Sequence, residues 1–142
     1  MQIKDIMTKD IASVNYDDTV ERAAQLMKQY NVGSIPVCEG EKVIGILTDR
    51  DITLRSVADG QNVMRQSVRE IMSSNPVTAS PSMDIHEAAR MMSERQIRRL
   101  PIIESGNLVG IISIGDLAVE PKFSDNAGEA LSSISEPSSP KI

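Results

Sequence analysis

Apolar residues recur along this chain in two periods, and each period appears twice. Val20, Ala23, Ala24 and Met27 fall at i, i+3, i+4 and i+7, the spacing that gathers them on one helix face. Ile85, Ala88, Ala89 and Met92 repeat it. Thr19 and Asp84 stand just ahead of these stripes as candidate N-caps, each with a side-chain oxygen that can accept from an orphan backbone N–H. Glu87, three positions after Asp84, completes the letter pattern of a capping box. The runs Ile35–Cys38 and Leu100–Ile103 read as short strands, and Val43–Leu47 and Leu108–Ile112 as longer ones rich in β-branched residues. Pro36 and Pro101 restrict the short pair to a sheet edge or a strand start. Turns at Gly40-Glu41 and Ser105-Gly106-Asn107 join the strands in pairs, and a second helix opens at Asp49 and at Ile114.

Shifting the chain by 65 residues lays one half over the other without a gap. Ile6, Met7, Ala23, Ala24, Met27, Pro36, Glu39, Gly45, Ile46 and Asp51 each meet an identical residue. The chain is therefore a duplication of a strand-helix-strand-strand-helix unit. Neither copy is long enough to bury much surface alone, so two half-sized units sharing a core are expected. The expected boundaries are a first repeat over 1–58, a linker over 59–68, a second repeat over 69–121 and a disordered tail over 122–142. The tail is rich in Ser, Pro, Glu and Asp, which favours disorder, with Phe123 and Leu131 as the residues that could dock it locally.

Composition narrows the function classes. Fifteen Lys and Arg against twenty Asp and Glu leave a net charge of −5 over 142 residues, which weighs against a nucleic-acid partner. Trp is absent and Tyr and Phe are scarce, so the interior must be aliphatic, with methionines as adaptable filler or interface. Cys38 is the one cysteine and permits no internal disulfide; in an apolar strand it reads as a small hydrophobe. No signal-peptide pattern or long apolar run is present, so a cytoplasmic protein with no membrane partner is expected. His86 has no companion at metal-ligand spacing, and no nucleophile–base set is fixed by the sequence; Asp49 and Asp51 resemble an acid–base pair in spacing only. Neither a metal nor catalysis is expected.

Two related stretches carry the candidate chemistry: GILTDRD, from Gly45 to Asp51, and GIISIGD, from Gly110 to Asp116. Thr48 and Asp51 fit a capping box that does nothing more than start a helix. A second reading is open as well. Glycine inside a strand is unfavourable unless something lies close to the backbone. A hydroxyl at a helix N-terminus suits phosphate, and a neighbouring carboxylate suits a sugar diol.

DIMT and EIMS, SIPV and RLPI, and GILTDRD and GIISIGD, in order and twice, resemble the tandem cystathionine-β-synthase-type (CBS) domain pair, or Bateman module, of the stand-alone bacterial or archaeal type. The resemblance covers 4–120 and implies an α+β, sandwich-like fold of two pseudo-twofold βαββα repeats packed through their small sheets. It also implies a regulatory adenosine-containing ligand (AMP, ADP, ATP, S-adenosylmethionine or NAD) between the repeats. Carried over, a primary nucleotide cleft would use Thr48, Arg50, Asp51, Val77, Ile97, Arg98, Arg99 and Pro101. A weaker second cleft would use Ala12, Val32, Gly33, Ser34, Pro36, Ser113, Gly115 and Asp116. Arg98-Arg99 replaces Gly33-Ser34 of the first copy, and Arg50 replaces Gly115 of the second, so the primary cleft would be the phosphate-binding one. A homodimer, or an unidentified regulated protein, would receive the signal. The alternative is a structural dimerisation module with vestigial clefts.

Overall fold

A computed structural model describes residues 1–120 and 124–136. Its elements are β1 (Val14–Asn15), α1 (Val20–Tyr30), β2 (Ser34–Glu39), β3 (Lys42–Thr48), α2 (Asp49–Ile52), β4 (Ser73–Ser74), α3 (Ile85–Arg95), β5 (Arg99–Glu104), β6 (Asn107–Ser113), α4 (Ile114–Val119) and α5 (Ser124–Ser135). Helix α2 runs on into a π-helical turn over Thr53–Val57. The mixed α+β class expected from the sequence is present.

The chain forms two compact units, and they are not the two repeats cut end to end. One comprises Asp10–Val77 with the turn Ser105–Leu108; the other comprises Met1–Lys9, Thr78–Glu104 and the chain from Val109 on. Each unit thus borrows the opening segment of the other repeat. The boundaries expected at 58 and 69 are those of the repeats; the compact units differ from the repeats by this exchange, which is made by long-range contacts that no local pattern announces.

In the first-repeat unit, β1 pairs parallel with β2, β2 antiparallel with β3, and β3 antiparallel with β4. Strand β4 comes from the start of the second repeat. Its two pairs, Gly45 with Ser74 and Ile46 with Ser73, close the sheet on the far side of β3. Pro36 is tolerated because β1 spans only Val37 and Cys38, leaving Pro36 beyond its reach. Val14, Val20, Ala23, Leu26, Met27, Ile35, Val37, Leu47, Val68 and Ile71 make the core. Val68 and Ile71, expected at the linker and in the second repeat, are integral to it.

The second-repeat unit repeats the plan by equivalent contacts. Ala79 bridges Ile102 in parallel, as Val14 meets Val37, and Thr8 bridges Ile111 antiparallel, as Ser73 meets Ile46. Ile3 is fully buried there, its N–H bonded to Met83 O at 2.9 Å.

Helices α1 and α3 start at their expected caps. Thr19 Oγ1 accepts from Arg22 N at 3.1 Å, and Asp84 Oδ1 from His86 N at 2.8 Å. The capping box does not form at Asp84: the same oxygen also meets the His86 ring at 3.0 Å, and Glu87 does not reach back. Asn31 and Gln96 close the helices in the left-handed region at φ 54°. The α3 stripe is buried as read, but on α1 Leu26 is buried and Ala24 is exposed.

The disordered tail is corrected in part. Residues Ser124–Ser135 form α5, which docks on α3 and α4 in the second-repeat unit. A Ser- and Gly-containing segment gains its order from docking rather than propensity. Phe123 and the stretches 121–123 and 137–142 lie outside the described residues; Leu131 is half exposed.

Candidate functional site

At both repeated junctions a strand hands over directly to a helix. Thr48 Oγ1 accepts from Asp51 N at 3.0 Å, and Asp51 Oδ2 accepts from Thr48 N at 2.9 Å. Ser113 and Asp116 do the same at 3.2 and 2.8 Å. Each pair is thus a complete capping box. The helix behind Thr48 continues without a break through the turn over Thr53–Val57, whereas the one behind Ser113 is only six residues long and accumulates less dipole.

The glycine inside the strand has an intramolecular cause. A Cβ placed on Gly45 would lie 2.5 Å from Met72 Sδ and 2.9 Å from Ser73 O; one on Gly110 would lie 2.5 Å from Met7 Sδ. Each glycine admits the methionine of a DIMT or EIMS segment, so the two motifs are halves of one packing device. What lies close to the backbone at each glycine is a packed methionine side chain.

The box leaves some chemistry unused. The Thr48 and Ser113 hydroxyls accept within the box and keep an O–H to donate. Each carboxylate commits one oxygen to the cap. Asp51 Oδ1 lies 4.0 Å from Arg55 Nε, and Arg55 Nη1 donates to Ile71 O at 3.1 Å. Asp51 is well shielded, its side chain 14 % exposed. Arg55 was not singled out from sequence, although its position four residues after Asp51 on a helix was a readable signal. The repeat-equivalent residue is Glu120, so the second junction lacks this cation.

The remaining site residues divide by unit. Thr48, Arg50, Asp51, Val77, Ala12, Val32, Gly33, Ser34 and Pro36 belong to the first-repeat unit, and Ile97, Arg98, Arg99, Pro101, Ser113, Gly115 and Asp116 to the other. Within each unit the start of the first central strand abuts the junction. Asp49 N donates to Gly33 O at 2.9 Å, and Ser34 pairs with Thr48. Asp49 Oδ2 lies 3.2 Å from where a Gly33 Cβ would stand. In the other unit Ile114 N donates to Arg98 O at 2.9 Å. Pro101 is buried and its carbonyl accepts from Ala79 N. Arg50 and Arg98 are exposed, Arg99 half-buried. Ala12 and Val32 pack on the first core.

Elsewhere, burial pushes the Cys38 thiol up, and a hydrogen bond from Ser13 partly offsets this. Asp84 is held below its ordinary value, chiefly by the His86 backbone N–H and then by the His86 side chain. Among the described residues no group of three or more His, Cys, Asp or Glu could hold a metal ion. No described helix is long and apolar enough to cross a membrane.

A family model for the CBS domain matches residues 3–57 and 68–121, and the chain belongs to the CBS-domain family. It is 47% identical over 133 residues to the CBS domain-containing protein YhcV of Bacillus subtilis, covering 94% of each chain. Among solved structures, Hypoxic Response Protein I with two coordinated zinc ions superposes with a TM-score of 0.78 at 30% identity, covering 84% of this chain and 98% of that one. The CBS domain protein PAE2072 of Pyrobaculum aerophilum, complexed with AMP, superposes with a TM-score of 0.79 over 90% of this chain and 98% of that one; at 23% identity that likeness concerns the fold. Tandem CBS pairs are a regulatory class of module, and the chain is one of them.

Proposed function

We propose that this chain is a non-catalytic sensor that takes up an adenosine-containing ligand and passes its occupancy to a second copy or another protein. AMP, ADP and ATP are the first candidates, with S-adenosylmethionine and NAD behind them; PAE2072, which shares the fold, carries AMP. The carrying observation is the pair of capping boxes. In each, a hydroxyl proton and the second oxygen of a carboxylate remain outside the box, a donor for phosphate and an acceptor for a ribose diol. The phosphorylated ligand is assigned to the residue set headed by Thr48, Arg50 and Asp51, to which the resemblance adds Val77, Ile97, Arg98, Arg99 and Pro101. The set headed by Ser113, Gly115 and Asp116, with Ala12, Val32, Gly33, Ser34 and Pro36, would take a ligand more weakly. Ligand acts by preferring one arrangement of the module over another, which shifts their populations.

Calorimetric titration and thermal shift with AMP, ATP and S-adenosylmethionine test this. A ligand present at 100 times its dissociation constant should add roughly 2.7 kcal/mol of stability. Asp51→Asn keeps an oxygen for the Thr48 N–H, so the fold should hold while affinity falls about tenfold or more, one lost charge-assisted bond being worth roughly 1.5–3 kcal/mol. A structural reading competes because methionine and cap between them account for the glycine, the hydroxyl and the aspartate that the two motifs share. It wins if none of the three ligands stabilises the chain.

A further inference from the structure

At the first junction the carboxylate that a sugar would use has a cation beside it. Arg55 Nε lies 4.0 Å from Asp51 Oδ1, the oxygen left outside the capping box. The guanidinium is held from another side, where Nη1 donates to Ile71 O at 3.1 Å. Ile71 is buried in the first core, so this anchor is fixed. That bond uses one of the donor hydrogens of the guanidinium, and the Arg55 side chain is 54 % exposed. A cation is thus set in place with donors to spare. The segment that presents it is unusual. Thr53–Val57 is a π-helical turn, across which Ala58 N donates to Thr53 O at 2.9 Å. Ser56 is fully buried in it, and its hydroxyl has no hydrogen-bond partner among the described residues. A wide turn and an unsatisfied buried hydroxyl both cost stability, and π turns of this kind gather at functional sites. The second junction is built otherwise: α4 ends at Val119, and Glu120, in extended backbone, takes the place of Arg55.

We infer that Arg55 sets the charge of the ligand at the first junction: it offsets Asp51 and turns its spare donors to the phosphate of an adenosine nucleotide. The inference rests on the nucleotide-binding reading above and names the side chain that selects phosphate within it. Asp51 alone would repel the phosphate of any ligand whose ribose it accepted. A guanidinium pinned at one edge by a backbone carbonyl removes that repulsion, and it gives up little side-chain freedom when phosphate arrives. The resemblance assigns no role to Arg55; its geometry does.

Calorimetry with AMP and with adenosine tests the inference, on the full chain carrying Asp116→Asn so that the first junction dominates the signal. AMP should bind more tightly than adenosine. Arg55→Gln should cut that preference about fivefold or more while leaving adenosine affinity within about twofold. Arg55→Lys, which keeps the charge, should retain the preference within about threefold. Added salt should erode the preference more in the Arg55 chain than in Arg55→Gln. Thermal unfolding without ligand verifies that each variant is folded. An AMP-to-adenosine preference unchanged in Arg55→Gln would overturn the inference and leave the nucleotide reading standing. So would a loss shared equally by the two ligands, which would make Arg55 a structural tie. A chain that binds neither ligand would overturn the nucleotide reading and this inference with it.

Discussion

At Gly45 and Gly110 a missing side chain is the functional feature, and the two positions differ in what occupies the gap. Around Gly110 the three nearest atoms all belong to the Met7 side chain; around Gly45, Ser73 O of the backbone stands 2.9 Å from an added Cβ. A thioether can move, a paired strand cannot without losing its register. Gly110→Ala should therefore cost on the order of 1–3 kcal/mol, and Met7→Ala in the same chain should recover part of that. Met72→Ala should fail to rescue Gly45→Ala. Denaturation of the two double-mutant cycles reads the difference, and equal rescue would refute the assigned contacts. The Asp84 cap makes a prediction of opposite character. Its carboxyl is held below the ordinary value of 3.8, so its stabilisation is full above that pH and is lost as the pH falls through the lowered value. The advantage of the wild type over Asp84→Asn in urea unfolding should be constant from neutral pH to about 4 and vanish in more acid solution.

Among the elements, α1, α3 and the strand pairs were legible because each carries its own period, and both repeats agreed. Bounds moved by a residue or so at each end: β2 runs Ser34–Glu39 where Ile35–Cys38 was read. What could not be read was decided by contacts distant in sequence. Strand β4 is two serines with no strand signal, placed by pairing with β3. Helix α5, by contrast, does carry a stripe, Ala127, Ala130, Leu131 and Ile134 at i, i+3, i+4 and i+7, which the Ser- and Pro-rich composition of the tail masks; it seats on α3 and α4. The candidate site was half legible. The repeated Thr/Ser-x-x-Asp pattern announced its boxes, but the partner of each glycine sits in the opening segment of the other repeat, invisible to any local window. The divergence of the two helices is testable at equivalent positions. Ala24 is exposed and Ala89 is 4 % exposed, so Ala24→Glu should change stability by no more than about 0.5 kcal/mol. Ala89→Glu places a charge in a covered position and should cost at least about 2 kcal/mol. Chemical denaturation of the pair decides it, and similar losses would mean that the two faces are equivalent.

For the whole molecule, the consequence of duplication is mutual dependence rather than two independent halves. Ile3 lies in the opening segment of the chain yet is fully buried in the second-repeat unit, and Val68 lies ahead of the second repeat yet is fully buried in the first. A substitution near one repeat should thus report in the other. Ile3→Ala should cost about 2–5 kcal/mol, with amide protection lost first over 78–113. Val68→Ala removes less volume and should cost on the order of 2 kcal/mol, with protection lost first over 14–48. Exchange measured just below the unfolding midpoint would separate the two patterns. If each variant instead weakened the repeat next to it in sequence, the exchange of opening segments would be wrong. The same logic bears on regulation. The methionines that fill the glycine notches ride on these segments, Met7 beside Gly110 and Met72 beside Gly45, in the middle of the strand that leads into each Thr/Ser-x-x-Asp junction. Anything that shifts a junction must shift a strand pinned by residues from the start of the opposite repeat, so an event at one repeat reaches the other through the chain itself.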